Sequence, residues 1–224
     1  ALRPGRLAFS GPVHGRLERP DLGSARRRDL DDGEPMADSR ESLETGAGRL
    51  PGDLDRKRMR ARMIRVDQAG ELGAARIYDG QLAVLGDSSA GPVIRAMADQ
   101  EHRHLQTFDR LLIERKVRPT VLGPLWHAAG FALGAASALA GMKAAMACTV
   151  AVESVIDAHY HRQARQLGED DDALRTVIED FRADEIAHAR TGLAHGAEQA
   201  PCYRPLSAAV KAGTRLAIWL SERI

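Results

Sequence analysis

Two short runs govern what this chain can fold into: Glu101-His102-Arg103-His104 and Glu185-Ile186-Ala187-His188, each with a Glu and a His three residues apart. Each follows a lone glutamate by about the length of one helix and a turn. Glu71 stands 30 residues before Glu101, and Glu153 stands 32 before Glu185. Read as two copies of one unit, they supply four carboxylates and two imidazoles, a complete ligand set for two metal ions. A single Glu-x-x-His is weak evidence, because composition alone yields roughly one in every two chains of this make-up. The joint pattern is far stronger, provided that all six residues fall on the inward faces of helices that can meet.

The surrounding residues meet that condition. Ala, Leu, Arg, Glu and Gln fill long stretches without proline, and aromatic residues make up only 4% of the chain, which favours helix over strand. A helix over about 54–85 sets Ile64, Asp67, Glu71, Ala75 and Tyr78 on one stripe. Residues 86–92 form a turn, with Pro92 suited to open the next helix. That helix, over about 93–116, aligns Ile94, Met97, Glu101, His104, Leu105, Phe108 and Leu111 before Arg118-Pro119-Thr120 breaks it. A helix over 143–167 aligns Met146, Val150, Glu153, Asp157 and Tyr160. After a charged turn at 168–172, one over 173–195 aligns Ile178, Phe181, Glu185, His188 and Gly192. Pro201 and Pro205 punctuate again, and 206–224 reads as an amphipathic helix with Val210, Leu216, Ile218, Trp219 and Leu220.

Between the two halves lies the most apolar part of the chain, 121–152. Its uninterrupted portion, 128–142, is rich in Gly and Ala and shorter than the ~20 residues a membrane-spanning helix needs. Two readings stand for it: a helix on or dipping into a bilayer surface, or a helix buried between neighbours. Six helices are expected in all, four of them carrying candidate ligands.

At i and i+3 a Glu and a His differ by about 300° of rotation and ~4.5 Å of rise, so both reach one point beside the helix. Carboxylates on four apolar stripes meet in a dry interior, where they repel one another and each loses hydration worth several kcal/mol. Something positive must compensate them. Two iron or manganese ions do so, with bridging carboxylates and one His per ion, the arrangement already known from ferritin-like di-iron and di-manganese bundles. The expected fold is therefore all-α, a ferritin-like four-helix bundle with two additional apolar or amphipathic helices. The expected metal ligands are Glu71, Glu101, His104, Glu153, Glu185 and His188. Asp67, one turn before Glu71, and Asp157, one turn after Glu153, are candidates to accept the free ring N–H of a ligand histidine. His159 and Tyr160 are candidates to line a pocket for substrate or for incoming electrons, while His102, His161 and His195 read as surface residues. Against all this stands the plain alternative of solvated or salt-bridged charges on ordinary amphipathic helices.

The net charge of +1 gives no sign of a nucleic-acid partner. Cys148 and Cys202 have no neighbour at a metal or redox spacing and read as two reduced thiols. Residues 1–52 hold five of the ten prolines and no apolar periodicity, so they are expected to form a disordered extension ahead of one domain over 53–224. Acids interleave with its arginines, unlike a transit peptide, and it lacks a secretory apolar core. Met36 offers an alternative start for the native chain.

Several runs resemble the demethoxyubiquinone hydroxylases of ubiquinone biosynthesis. They are Arg65-Val66-Asp67-Gln68-Ala69-Gly70-Glu71, Tyr78-Asp79-Gly80-Gln81, Asp99-Gln100-Glu101 with His104, and Arg118-Pro119-Thr120 in the first half. In the second half they are Gly130-Phe131-Ala132-Leu133-Gly134, Ala147-Cys148-Thr149-Val150-Ala151-Val152-Glu153, His159-Tyr160, and Ile218-Trp219-Leu220-Ser221-Glu222-Arg223. The likeness covers about 64–224. It implies a peripheral membrane mono-oxygenase with two iron ions and O2 as co-substrate, hydroxylating the ring of a demethoxy polyprenyl benzoquinol. The six expected ligands fall on that family's ligand positions, and no catalytic residue beyond them is implied. This chain departs from many relatives in having Ser154 where they have a second Glu and Gln68 where they have His, which touches the surroundings of the ligands and not the ligands themselves.

No Gly-rich dinucleotide fingerprint is present, so electrons are expected from an external reductant, NADH being one candidate. The expected place is the cytoplasmic face of a bacterial inner membrane or the matrix face of a mitochondrial one, as a homo-oligomer or within a ubiquinone-biosynthesis complex. The rival reading is an iron-oxidising or iron-storage protein of the same bundle type, which gives the apolar segment no task.

Overall fold

The computed structural model describes residues 54–224; the expected extension at 1–52, with Met36, lies outside them. Among the described residues there are six α-helices, one 3-10 turn and no strand. Helix α1 spans Arg56–Leu85, α2 Gly91–Glu114, α3 Gly123–Leu139, α4 Met142–Leu167, α5 Asp172–Ala194 and α6 Tyr203–Ser221, with the 3-10 turn at Ala197–Gln199.

Local chemistry sets where each helix starts and stops. The Asp55 and Asp171 carboxylates cap α1 and α5, accepting from the backbone N–H of Arg58 and Leu174. Pro92 sits in the first turn of α2, so that helix begins slightly before the expected residue 93. It ends before Lys116, whose φ of 53° is left-handed. Pro205 likewise lies inside the first turn of α6, which opens at Tyr203 and not at 206. The 3-10 turn before it was not anticipated. Gly141, at φ 105°, divides the apolar segment into α3 and the start of α4.

Helices α1, α2, α4 and α5 form the four-helix bundle, as two hairpins. Helix α4 is its spine: residues 144–153 are buried without a break. Helix α3 lies along α1, and α6 packs on α4. The apolar core divides into two clusters. One gathers Met63, Ile64, Phe108, Leu112, Ile156, Leu174 and Ile178. The other gathers Tyr78, Ile94, Met97, Met146, Ala147 and Val150. On α2 the expected ligands Glu101 and His104 lie between Ile94 and Met97 of the second cluster and Phe108 and Leu112 of the first.

The structure packs the apolar segment against its neighbours along one face only. One face of α3, with Gly130, Gly134, Ser137 and Ala138, is buried, while Leu125 and Leu139 are exposed. Among the described residues no helix is long and apolar enough to cross a membrane.

The α1–α3 contact runs backbone to backbone. A Cβ added at Gly134 would strike the Ile77 backbone, and one at Gly80 would strike the carbonyl of Phe131. Gly134→Val is therefore expected to destabilise the fold by about 2–3 kcal/mol or more, as overpacking against backbone does. Gly213→Ala adds a methyl that meets nothing within 4 Å and is expected to stabilise α6 by up to about 1 kcal/mol. Urea unfolding followed by circular dichroism reads both changes.

Candidate metal centre

The i, i+3 geometry brings Glu101 with His104 on α2, and Glu185 with His188 on α5, into the bundle interior. Glu71 on α1 and Glu153 on α4 meet them there. All four carboxylates are at most 1% exposed and both imidazoles at most 3%. Their atoms fall into two overlapping groups. Glu71, Glu101, His104 and Glu185 each bring one ligand atom within 4.8 Å of the others, and so do Glu101, Glu153, Glu185 and His188. Each hairpin supplies its own Glu and Glu-x-x-His, and Glu101 and Glu185 belong to both groups.

The inward atoms have no hydrogen-bond partner. Glu71 Oε2, both oxygens of Glu101 and of Glu185, Glu153 Oε2 and the Nδ1 of each histidine are buried and unpaired. His104 Nδ1 lies 3.6 Å from Glu71 Oε2 and 3.5 Å from Glu185 Oε1. His188 Nδ1 lies 3.0 Å from Glu101 Oε1 without the alignment of a hydrogen bond. Buried polar atoms are normally paired, so eight orphans on six converging residues fit a positive partner held among them.

The outward atoms are held. Tyr160 donates its hydroxyl to Glu71 Oε1, and Tyr78 donates to Glu153 Oε1 at 2.7 Å. His104 Nε2 donates to Asp184 at 3.1 Å and His188 Nε2 to the Gln100 amide oxygen at 3.0 Å, which turns each Nδ1 inward. The Phe181 ring stacks on His104 with centroids 3.8 Å apart.

Burial and mutual proximity shift several of these groups toward their protonated forms. Burial, then the neighbouring Glu185, pushes Glu101 and Glu153 well above the ordinary carboxylate range, and burial raises Glu185 as well. Burial works against a charge on His104, but Glu185 and Glu71 outweigh it and push its ring up to about 11. His188 moves the same way, burial being outweighed by Glu101. Tyr78 and Tyr160 stay protonated, raised by burial and by the glutamates they serve.

Two expectations need correction. Asp157 pairs with Arg182 at 2.6 Å and reaches no ligand histidine. Asp67 does meet a histidine, but it is His159, whose Nε2 lies 3.3 Å from Asp67 Oδ1, while Gln163 donates to the same oxygen at 2.7 Å. The residues that hold the ligand histidines are Asp184 and Gln100, each standing just before a Glu-x-x-His glutamate. Tyr78 was also missed as a partner, although it follows Glu71 at the same seven-residue spacing that separates Tyr160 from Glu153. His159 and Tyr160 line a cavity of about 420 Å³ between α1, α3, α4 and α6. Its wall is mostly apolar, with Ile77, Trp126, Leu133, Ile156 and Leu216 among the lining, and it reaches Glu71.

Comparison with known proteins identifies the chain's relatives. The family model described as "Ubiquinone biosynthesis protein COQ7" matches residues 58–221. A Rhodospirillum rubrum protein named "3-demethoxyubiquinol 3-hydroxylase" is 54% identical over 196 residues, covering 85% of this chain and 92% of that protein. The Dictyostelium discoideum and Homo sapiens proteins named "NADPH-dependent 3-demethoxyubiquinone 3-hydroxylase, mitochondrial" are 57% identical over 166 residues and 54% over 167. Each alignment covers 73% of this chain, with 76% and 77% of the respective relative. The chain belongs to the COQ7 family of ubiquinone biosynthesis proteins.

Proposed function

We propose that this protein is an O2-dependent 3-demethoxyubiquinol hydroxylase that holds two iron ions on Glu71, Glu101, His104, Glu153, Glu185 and His188. The observation that carries the reading is the mostly apolar cavity ending on Glu71, beside eight unpaired ligand atoms. An iron-storage protein has no use for such a cavity. The donor set fits the metal: four carboxylates and two imidazoles suit a pair of hard-to-intermediate divalent ions. Glu71 and His104 would serve one ion, Glu153 and His188 the other, with Glu101 and Glu185 spanning both. When bound and reduced, such a pair supplies the activation of O2.

The chain's own residues do the rest. The apolar wall formed by Ile77, Leu133, Ile156 and Leu216 excludes water and seats the quinol ring against Glu71 and Tyr160. Tyr160 and Tyr78 keep one oxygen of Glu71 and of Glu153 occupied, leaving the other free to point inward. A reduced nicotinamide nucleotide is proposed as electron source, in keeping with the NADPH-dependence in the names of the mitochondrial relatives. A polyprenyl tail keeps the substrate in a bilayer, and the exposed Leu125 and Leu139 of α3 with Leu216 and Trp219 of α6 are proposed to rest on it.

Expression in cells lacking the quinone hydroxylase is expected to clear accumulated demethoxyubiquinone, read by mass spectrometry. Glu185→Ala is expected to abolish both this rescue and the binding of two irons per chain. Continued accumulation alongside folded, iron-loaded protein would overturn the assignment.

Metal removal should leave a distinctive pH dependence. Glu101, Glu153 and Glu185 titrate above their ordinary 4.5, and His104 above 6.5, so the metal-free folded chain binds more protons than the unfolded chain. Its thermal midpoint is expected to fall as pH rises from about 5 to about 9. Ferrous or manganous ion, which competes with those protons and binds better as pH rises, should flatten or reverse the slope.

On liposomes, Leu139→Asp and Trp219→Asp are each expected to weaken partition about tenfold, the loss of one buried apolar side chain. Co-sedimentation indifferent to both changes would remove the membrane assignment.

A further inference from the structure

The hydrogen bonds that hold the candidate ligands match between the two halves of the centre in all but one partner. Glu71 and Glu153 each accept from the tyrosine that follows the other glutamate by seven residues. Glu101 and Glu185 each belong to both ligand groups. The residue just before each of these crosses to the histidine of the opposite helix, Gln100 to His188 and Asp184 to His104. Here the match ends, because His188 gives its proton to a neutral amide oxygen and His104 gives its proton to a carboxylate.

That difference acts on the nitrogen facing the cluster. A carboxylate accepting the ring N–H draws the proton toward itself and leaves the opposite nitrogen more electron-rich, hence a better donor to a metal ion, than an amide does. It also sets one more negative charge beside one metal position. Asp184 is 41% exposed at its side chain, so water screens part of that charge, and the effect belongs at the lower end of its usual range. Phe181, stacked on His104, shields the ring on one face.

We infer that the two metal positions are unequal: the one served by Glu71 and His104 binds a divalent ion first and more tightly, and Asp184 is the positioning residue that sets the difference, with Gln100 its neutral counterpart. This rests on the two-metal reading above.

The test is titration of the metal-free full chain with Mn2+ followed by electron paramagnetic resonance. The wild-type chain should take up Mn2+ in two steps, showing the spectrum of an isolated ion at one equivalent and of a spin-coupled pair at two. Asp184→Asn keeps the size and an acceptor oxygen but removes the charge. It should weaken the first step by about tenfold or more, so that coupled pairs are present already at one equivalent. Gln100→Glu should strengthen the second step by a similar factor, a gain that structural damage cannot produce. Circular dichroism of each metal-free variant checks that the fold is kept. Two wild-type ions bound with no difference in affinity, or steps that stay equally far apart in Asp184→Asn, overturn this inference and leave the two-metal reading standing. A folded wild-type chain that takes up no Mn2+ overturns both.

Discussion

Four glutamates at 1% exposure or less share one layer of the bundle, and their mutual repulsion with lost hydration is the cost around which this molecule is built. Two fully charged imidazoles would still leave the layer short of balance by two positive charges. Two divalent ions with neutral imidazoles balance it completely. The upward shifts of Glu101, Glu153 and Glu185, and of His104 to about 11, express the same requirement. Protons and the proposed metal ions would compete for the same unpaired atoms, which makes the charge of this layer a folding problem as much as a catalytic one.

Keeping the layer dry explains much of the remaining architecture. Apolar clusters close it on both sides along the bundle axis, one around Ile64, Phe108 and Ile178 and the other around Ile94, Met97 and Met146. Laterally, α3 can close on α1 only because Gly80 and Gly134 let the two backbones touch. The same segment that shields the centre also turns Leu125 and Leu139 outward, so one helix insulates the site and presents an apolar face.

The inward placing of the six candidate ligands and the six helices were legible in the sequence because both obey the short period of a helix, which needs no knowledge of neighbours. What was not legible is register between helices. Asp157 shares the stripe of Glu153, yet α4 and α5 run antiparallel, so a turn beyond Glu153 lies level with Arg182, on the far side of Glu185 from His188. Asp67 faces α4, where His159 and Gln163 stand, and not α2, which carries His104. Asp184 and Gln100 were passed over because their neighbours in sequence are the ligands of their own helix, whereas their side chains serve the opposite one. Only the packed bundle decides such crossings.

Antiparallel pairing of two similar halves makes the crossings reciprocal. If Tyr160 on α4 meets Glu71 on α1, the matching positions Tyr78 and Glu153 meet as well, and Gln100 with His188 mirrors Asp184 with His104. A centre built this way would be open equally to both sides unless the halves differ in bulk. They do differ: Gly70, Gly73 and Ala74 beside Glu71 correspond to Val152, Val155 and Ile156 beside Glu153, and of the larger three Val152 and Ile156 form the cavity's opposite wall. The small residues of α1 line the cavity, and that cavity reaches Glu71 and Tyr160 but not Glu153 and Tyr78. The Glu153 side is instead closed by Tyr78, Met97, Met146 and Val150. The cavity reaches Glu71, and Asp184 crosses from the opposite hairpin to hold His104 of the same ligand group, so the two departures from symmetry, one in bulk and one in charge, fall on the same side of the centre.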